Sequence, residues 1–273
     1  GQDPPALVVR DINPAGLDAL LATGLVRQQA WRLVFEHARI HTVALQVAAG
    51  RPNVKALHRR LADAWTRLGE QTGADVDLHV GTHRLRAGEA RAAVVPLLRA
   101  ARRTHEEGRF ALSLKAARLG AQAADEVGGL AARAEARIRQ SEALLSQGKT
   151  EASIDVIQVV SDLGHVDRRT EARMSLTLAN AETIRGNIDA ARNYLESAEI
   201  TFEATRDREG LIETAASMAR VLRTEGRPAD AARCFAKMLR LNRGDKRIEV
   251  RALHGLVDAR TASGRLEGIE PMV

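Results

Sequence analysis

The 273-residue chain holds one cysteine, one tyrosine, two tryptophans and four phenylalanines, so aromatics make up only 3% of it. A lone Cys234 excludes an internal disulfide and a zinc site built from several cysteines, which fits a reducing, cytoplasmic setting. On its apolar-patterned segment it reads as a buried helix residue. The few aromatics are scattered, and so offer none of the stacking platforms on which single nucleic-acid strands lie. No stretch approaches the ~18 consecutive apolar residues of a membrane span. The first residues, Gly1-Gln2-Asp3-Pro4-Pro5, show no basic region followed by an apolar run. The missing initiator methionine and the abrupt end at Pro271-Met272-Val273 read as an excised piece of a larger protein.

What is present is a folded composition: 45% hydrophobic and 28% charged residues, with 41 Lys+Arg against 35 Asp+Glu and a formal charge of +6. The basic residues are interleaved with acids, apart from doublets such as Arg59-Arg60, Arg102-Arg103 and Arg168-Arg169. Without a basic stripe or aromatic companions, these doublets do not call for nucleic acid.

The organising signal is a repeat. A small or polar residue, a glycine and a turn-forming successor recur at Gly108, Gly148, Gly186, Gly226 and Gly264, at spacings of 40, 38, 40 and 38 residues. Helix-forming stretches precede the last four (Ala131–Gln147 for example), and others follow the middle three (Asp189–Ala204). Glycine at the break supplies the left-handed conformation that ends one helix, so each unit is predicted to be a helical hairpin. Five residues before the glycines stand Ala143, Ala181, Val221 and Ala259, and seven before stand Ser141, Ala179, Ala219 and Val257. Small side chains at a recurring point allow close helix approach, with Leu178, Met218 and Leu256 as apolar bulk. Beyond the turns, Ala191 with Ala198 and Ala231 with Met238 keep a seven-residue spacing on one face, which stacking of neighbouring hairpins must bury.

This pattern over residues 90–273 resembles the tetratricopeptide repeat: small residues in helix A, glycine at the turn, alanine five residues after that glycine in helix B, and apolar bulk seven beyond the alanine. The units exceed the usual ~34 residues. The resemblance implies an all-α solenoid of stacked hairpins whose helix A side chains line a concave groove.

Residues 52–125 read as less regular helices: Asn53–Leu68, Asp77–Arg86, Ala90–Glu106 and Ala111–Glu126. The stretch from Leu57 to Trp65, followed by Thr82–Ala93, resembles the region after the ATPase core in STAND-type signal-transduction ATPases. In the first fifty residues, a helical Ala15–Thr23, two short strands at Gly24–Gln28 and Trp31–Phe35, and a helical Glu36–Ala49 give helix, hairpin, helix. That order resembles the end of the winged helix of the same ATPases. The expected organisation is thus a partial winged-helix segment over 1–50, an irregular helical linker with early repeats over 51–125, and tetratricopeptide-like repeats over 126–273.

Several motifs invite chemistry without supporting it. Gln147-Gly148-Lys149-Thr150 ends like a phosphate-binding loop, but Ala143 stands where that loop needs its first glycine and no strand precedes it. His37 with His41, and His79 with His83, are each four apart on a helix, yet no third metal ligand accompanies either pair. No Ser-His-Asp or Cys-His set converges. The reading is therefore non-enzymatic, with no cofactor and no metal in this segment. The resemblance gives His37 one further role: in Val34-Phe35-Glu36-His37-Ala38 it stands where such ATPases carry a Met-His-Asp motif, which implies sensing of a nucleotide bound upstream, although Ala38 replaces the acid.

A recognition surface remains. Carrying the groove register from the turn glycines places Arg139, Arg173, Asn180, Arg220, Arg223, Arg251 and His254 on it, among Glu135, Glu142, Thr177, Glu213, Ser217 and Asp258. Arginine is suited there to carboxylates, which it binds through two parallel hydrogen bonds. The resemblance implies a protein- or peptide-binding sensor arm of a multidomain bacterial signalling or transcriptional regulator, contacting other domains of its parent. The competing reading is a DNA-binding regulator that uses the winged helix, with the repeats for oligomerisation.

Overall fold

The protein is described as a computed structural model covering residues 5–263 apart from 31, 37, 38, 40, 41, 44, 45, 48, 49, 51 and 163. The described residues form thirteen helices and one two-stranded antiparallel sheet. The chain divides into two compact units, residues 1–139 and 140–273.

The first unit opens with α1 (Ala6–Ile12), α2 (Pro14–Ala22), β1 (Val26–Gln29) and β2 (Arg32–Phe35). Asn13 starts α2 by accepting from the Gly16 N–H at 3.0 Å, and Pro14 follows it at the first helical position. The sheet register pairs Val26 with Phe35 and Gln29 with Arg32, and Ala30, just past β1, takes a left-handed φ of 52°. Val26 and Leu33 bury against Ala6 and Leu17, while Arg27, Gln28 and Arg32 stay exposed. The helix expected over Glu36–Ala49, and with it His37 and His41, lies largely outside the described residues.

Four helices complete the unit before the last one begins: α3 (Val54–Thr72), α4 (Asp77–Arg86), α5 (Ala90–Glu106) and α6 (Phe110–Val127). These match the expected helices closely, except that α3 runs on to Thr72. It stops there because Gly73 takes up φ 66° and donates to the Gly69 carbonyl at 2.8 Å. Val8 of α1 packs with Ala64 and Trp65 of α3, and Leu85 of α4 joins Ala93, Val94 and Leu97 of α5 with Ala123 and Ala124 of α6.

α7 (Leu130–Leu145) leads into the second unit, which continues through α8 (Thr150–Asp162), α9 (Arg168–Arg185), α10 (Ile188–Ala204), α11 (Arg208–Thr224), α12 (Pro228–Leu241) and α13 (Lys246–Ala262). The turn glycines Gly108, Gly148, Gly186 and Gly226 act as predicted, while Gly264 lies outside the described residues. At Gly108, for example, the glycine N–H donates to His105 O at 2.9 Å and the next N–H, from Arg109, reaches back to Thr104 O at 2.8 Å. The same pair of bonds recurs at Gly148, Gly186 and Gly226, and also at Gly88, each glycine having positive φ. These bonds satisfy carbonyls that a helix end otherwise leaves without donors.

The core follows the same register. Ala143, Ala181, Val221 and Ala259 are buried, as are Ser141, Ala179 and Ala219. Val257 is the exception, exposed on α13, the last described helix. Ala191 and Ala198 of α10, and Ala231 and Met238 of α12, are fully buried. Close approach is visible at Gly210, where an added Cβ would stand 2.5 Å from Phe202 Cδ1 of the preceding helix.

Consecutive hairpins are also tied by charge. The residues before Gly186 and Gly226 each reach the second helix of the preceding hairpin: Arg185 pairs with Glu151, and Glu225 with Arg192. Lys237 of α12 pairs with Glu199 and, at 3.2 Å, with Glu203 of α10. Solenoid stability resides in such nearest-neighbour contacts. The chain is an all-α stack of helical hairpins with one small sheet near its start.

Candidate partner-binding face

Within the second unit, α9, α11 and α13 are the first helices of successive hairpins, and all three begin the same way. Asp167, Asp207 and Asp245 are their N-caps, each accepting backbone N–H bonds from the first turn. Asp207 is buried, accepts from Gly210 N at 3.1 Å and also pairs with Arg169 of α9. These caps fix where each helix starts and therefore which residues share its open face. α9 and α11 touch one another directly.

On that face, Arg173 Nη2 lies 3.8 Å from Glu142 Oε1, with both side chains half-buried. Thr177 folds its hydroxyl back onto Arg173 O at 2.9 Å. Asn180 Oδ1 accepts from Ser217 Oγ at 2.8 Å and from Arg220 Nη1 at 3.3 Å, joining α9 to α11. Arg223 Nη1 stands 3.9 Å from Asp258 Oδ2, and the same carboxylate oxygen is 3.6 Å from His254 Nδ1. Arg251 is exposed and has no ion-pair partner among the described residues. Burial first, and the Arg251 charge second, pull the Arg220 guanidinium below the usual arginine value. Beside α13 lies an open cleft of about 550 Å³ lined by Lys246, Arg247, Val250, Arg251 and His254. Arg139 belongs to the first unit, where it pairs with Glu135 at 2.9 Å and is largely covered.

The remaining motifs fall elsewhere. Gly148 forms its turn at φ 72°, Lys149 Nζ donates to Gln147 Oε1 at 3.1 Å and Thr150 opens α8, so these residues shape a hairpin. His79 and His83 diverge: His79 stacks on Trp65 at a centroid distance of 4.0 Å, and His83 stacks on His58 at 5.1 Å. Among the described residues, no group of three or more His, Cys, Asp or Glu could hold a metal ion. Cys234 is half-buried, and burial followed by the Glu199 charge raises its thiol. Of the arginine doublets, Arg59 pairs with Glu89, Arg60 donates to Ile12 O, Arg103 lies 3.3 Å from Glu107 and Arg169 pairs with Asp207. These four arginines are engaged by neighbours within the fold. No described helix is long and apolar enough to cross a membrane.

Two features were not drawn from the sequence. The aspartate caps recur at spacings of 40 and 38 residues, Asp167 to Asp207 to Asp245, echoing the turn glycines; that signal was there to be read. The His58–His83 contact joins residues 25 apart in helices of irregular spacing, and no pattern announces it.

No family model matches the sequence, and no curated protein matches it. Among solved structures, the chain is similar to a signal transduction ATPase with numerous domains (STAND) that carries a tetratricopeptide repeat sensor, from Pyrococcus horikoshii. The TM-score is 0.64 at 16% identity, over 97% of this chain and 40% of that one. At that identity the likeness establishes the fold: hairpins of the tetratricopeptide type. The chain spans well under half the length of the protein it matches.

Proposed function

We propose that this chain is a recognition arm that binds a protein or peptide along the first helices of its hairpins, within a multidomain signalling regulator of the STAND type. The observation that carries the reading is the row of polar side chains on α9, α11 and α13, presented in one register by three aspartate-capped helices. A face built only for packing would repeat apolar residues at these positions; this one repeats Arg, Asn, Thr and Ser. The likeness to a protein with a tetratricopeptide repeat sensor supports the same role, as does the helix-and-hairpin segment over residues 5–35, which we read as the remnant of a winged helix. Catalysis is no part of the proposal. Occupancy of the groove would bias the parent between two arrangements by binding one of them more tightly.

The test is selection of peptides from a displayed library on the purified chain, followed by Arg220→Glu with Arg223→Glu. The selected peptides should lose binding while far-ultraviolet circular dichroism stays unchanged. Retained binding would place the site off these helices.

A further inference from the structure

The two rims of the second unit differ in charge. The turn-glycine rim, residues 146–151, 184–189 and 224–230, carries three Lys and Arg against four Asp and Glu, and its arginines are matched: Arg185 pairs with Glu151 and Arg227 with Asp230. The other rim joins one hairpin to the next through residues 164–169, 205–209 and 242–247, with seven Lys and Arg against four Asp and Glu. Three of those acids, Asp167, Asp207 and Asp245, turn oxygens onto backbone N–H groups as the caps of α9, α11 and α13. Arg169 pairs with Asp207, and Lys246 lies 3.5 Å from Glu249. Arg168, Arg206, Arg208 and Arg243 have no ion-pair partner among the described residues; Arg208 is half-buried and the other three are exposed.

Packing brings these three turns to one end of the stack. Ala172 of α9 and Leu211 of α11 share an apolar cluster with Phe202, and Ile212 of α11 and Ile248 of α13 share the next with Met238. All four lie near the starts of their helices, and the Arg169–Asp207 pair ties the first two starts directly. Desolvation, followed by the Arg243 charge, pulls Arg208 below the usual arginine value, as the approach of the second and third turns requires. No single element carries the resulting strip, so the sequence shows no basic run at any of its parts.

We propose that this inter-hairpin rim holds the phosphate backbone of a nucleic-acid duplex, without regard to base sequence, through Arg168, Arg206, Arg208 and Arg243. The inference goes beyond the recognition reading above and does not depend on it. Helix spacings of about 8–10 Å spread the three turns over about 20 Å, more than a single phosphate or carboxylate group spans. A duplex carries one charge per ~1.7 Å of its axis and a condensed ion atmosphere, so arginines laid along it gain affinity from ion release alone. An acidic peptide gains less in this way and needs anchoring pockets; a single strand needs stacking aromatics, and a membrane surface needs apolar side chains to insert. None of the three turns carries an exposed large apolar side chain or a Phe, Tyr or Trp.

The experiment is fluorescence polarisation of a fluorescein-labelled DNA duplex of about twenty base pairs, two helical turns, with the whole chain. It is repeated with Arg206→Gln/Arg208→Gln/Arg243→Gln and with a charge-matched control, Arg91→Gln/Arg99→Gln/Arg118→Gln, at exposed positions of α5 and α6. The unaltered chain should bind two duplexes of unrelated sequence within about twofold, and log affinity should fall against log salt with a slope of about −3 to −4, the value for four phosphates. The rim variant should bind about tenfold or more weakly at low salt, with a slope near about −1, while the control stays within about twofold. Lysine at the same three rim positions should restore binding to within about threefold, since charge and not the fold was removed. Equal weakening in both glutamine triples, failure of lysine to restore binding, or no binding by the unaltered chain overturns the inference. Full displacement of the duplex by polyglutamate at matched charge overturns it in favour of an acidic peptide, and tighter capture by phosphatidylserine vesicles in favour of a lipid surface. Loss of duplex binding in Arg27→Gln/Arg32→Gln, with the rim variant unaffected, overturns it in favour of the helix-and-hairpin segment.

Discussion

His58 Nδ1 lies 3.0 Å from His83 Nδ1, across the packed faces of α3 and α4. One nitrogen donates and the other accepts, so the pair is satisfied only while at least one ring is neutral. Burial, followed by the charges of His58, Arg86 and His79, lowers His83 to about 3; burial and Arg86 also lower His58.

With its folded-state pKa depressed, His83 takes up a proton more readily in the unfolded chain, so its contribution is complete above the unfolded value near 6.5 and is lost as pH falls toward 3. From His83 alone the loss at pH 5 is on the order of 2 kcal/mol. Urea unfolding of the chain at pH 8 and pH 5 should show it, and His83→Gln should flatten the pH dependence. An unchanged slope in the variant would refute the assignment.

Asp207 serves two helices at once, capping α11 and pairing with Arg169 of α9. Asp207→Asn keeps an N-cap acceptor and loses the ion pair, while Asp207→Ala loses both. We expect alanine to destabilise the second unit by about 2 kcal/mol, with asparagine costing about half as much. Denaturant midpoints decide, and equal losses would mean that the cap contributes nothing.

Gly255 packs against the ring of Phe235, where an added Cβ would stand 2.4 Å from both Cε1 and Cζ. Gly255→Ala should therefore cost about 1–3 kcal/mol by overpacking. Pairing it with Phe235→Leu should recover part of that, since the clash is with the ring; a simple sum of the two single losses would show that the contact is not the cause.

Gly148-Lys149-Thr150 should not confer nucleotide affinity. Addition of Mg-ATP should leave the melting temperature unmoved, and Gly148→Ala should cost about 1 kcal/mol, because its φ of 72° is strained for any residue with a Cβ. A thermal shift with ATP that Gly148→Ala abolishes would contradict this.

Much of the architecture was legible because it is periodic. Gly108, Gly148, Gly186 and Gly226 could be counted, and the buried Ala143, Ala181, Val221 and Ala259 stood at a fixed offset from the turn glycines. Arg206 shows the limit: it takes up a left-handed φ of 55° in the turn between α10 and α11, a position glycine usually marks, and so carries no signal. The open face was legible only as a list. Register places Arg173 and Arg251 at equivalent positions, but whether each meets an acid depends on the neighbouring helix. Arg173 finds Glu142, whereas Arg251 has no ion-pair partner among the described residues.

Hydrogen exchange of the backbone amides, with and without a library-selected peptide, tests the central claim most directly. The account predicts slowed exchange in α9, α11 and α13 with α10 and α12 unchanged. Protection confined to α10 and α12, or spread evenly over both sets, would contradict a partner seated on the first helices of the hairpins.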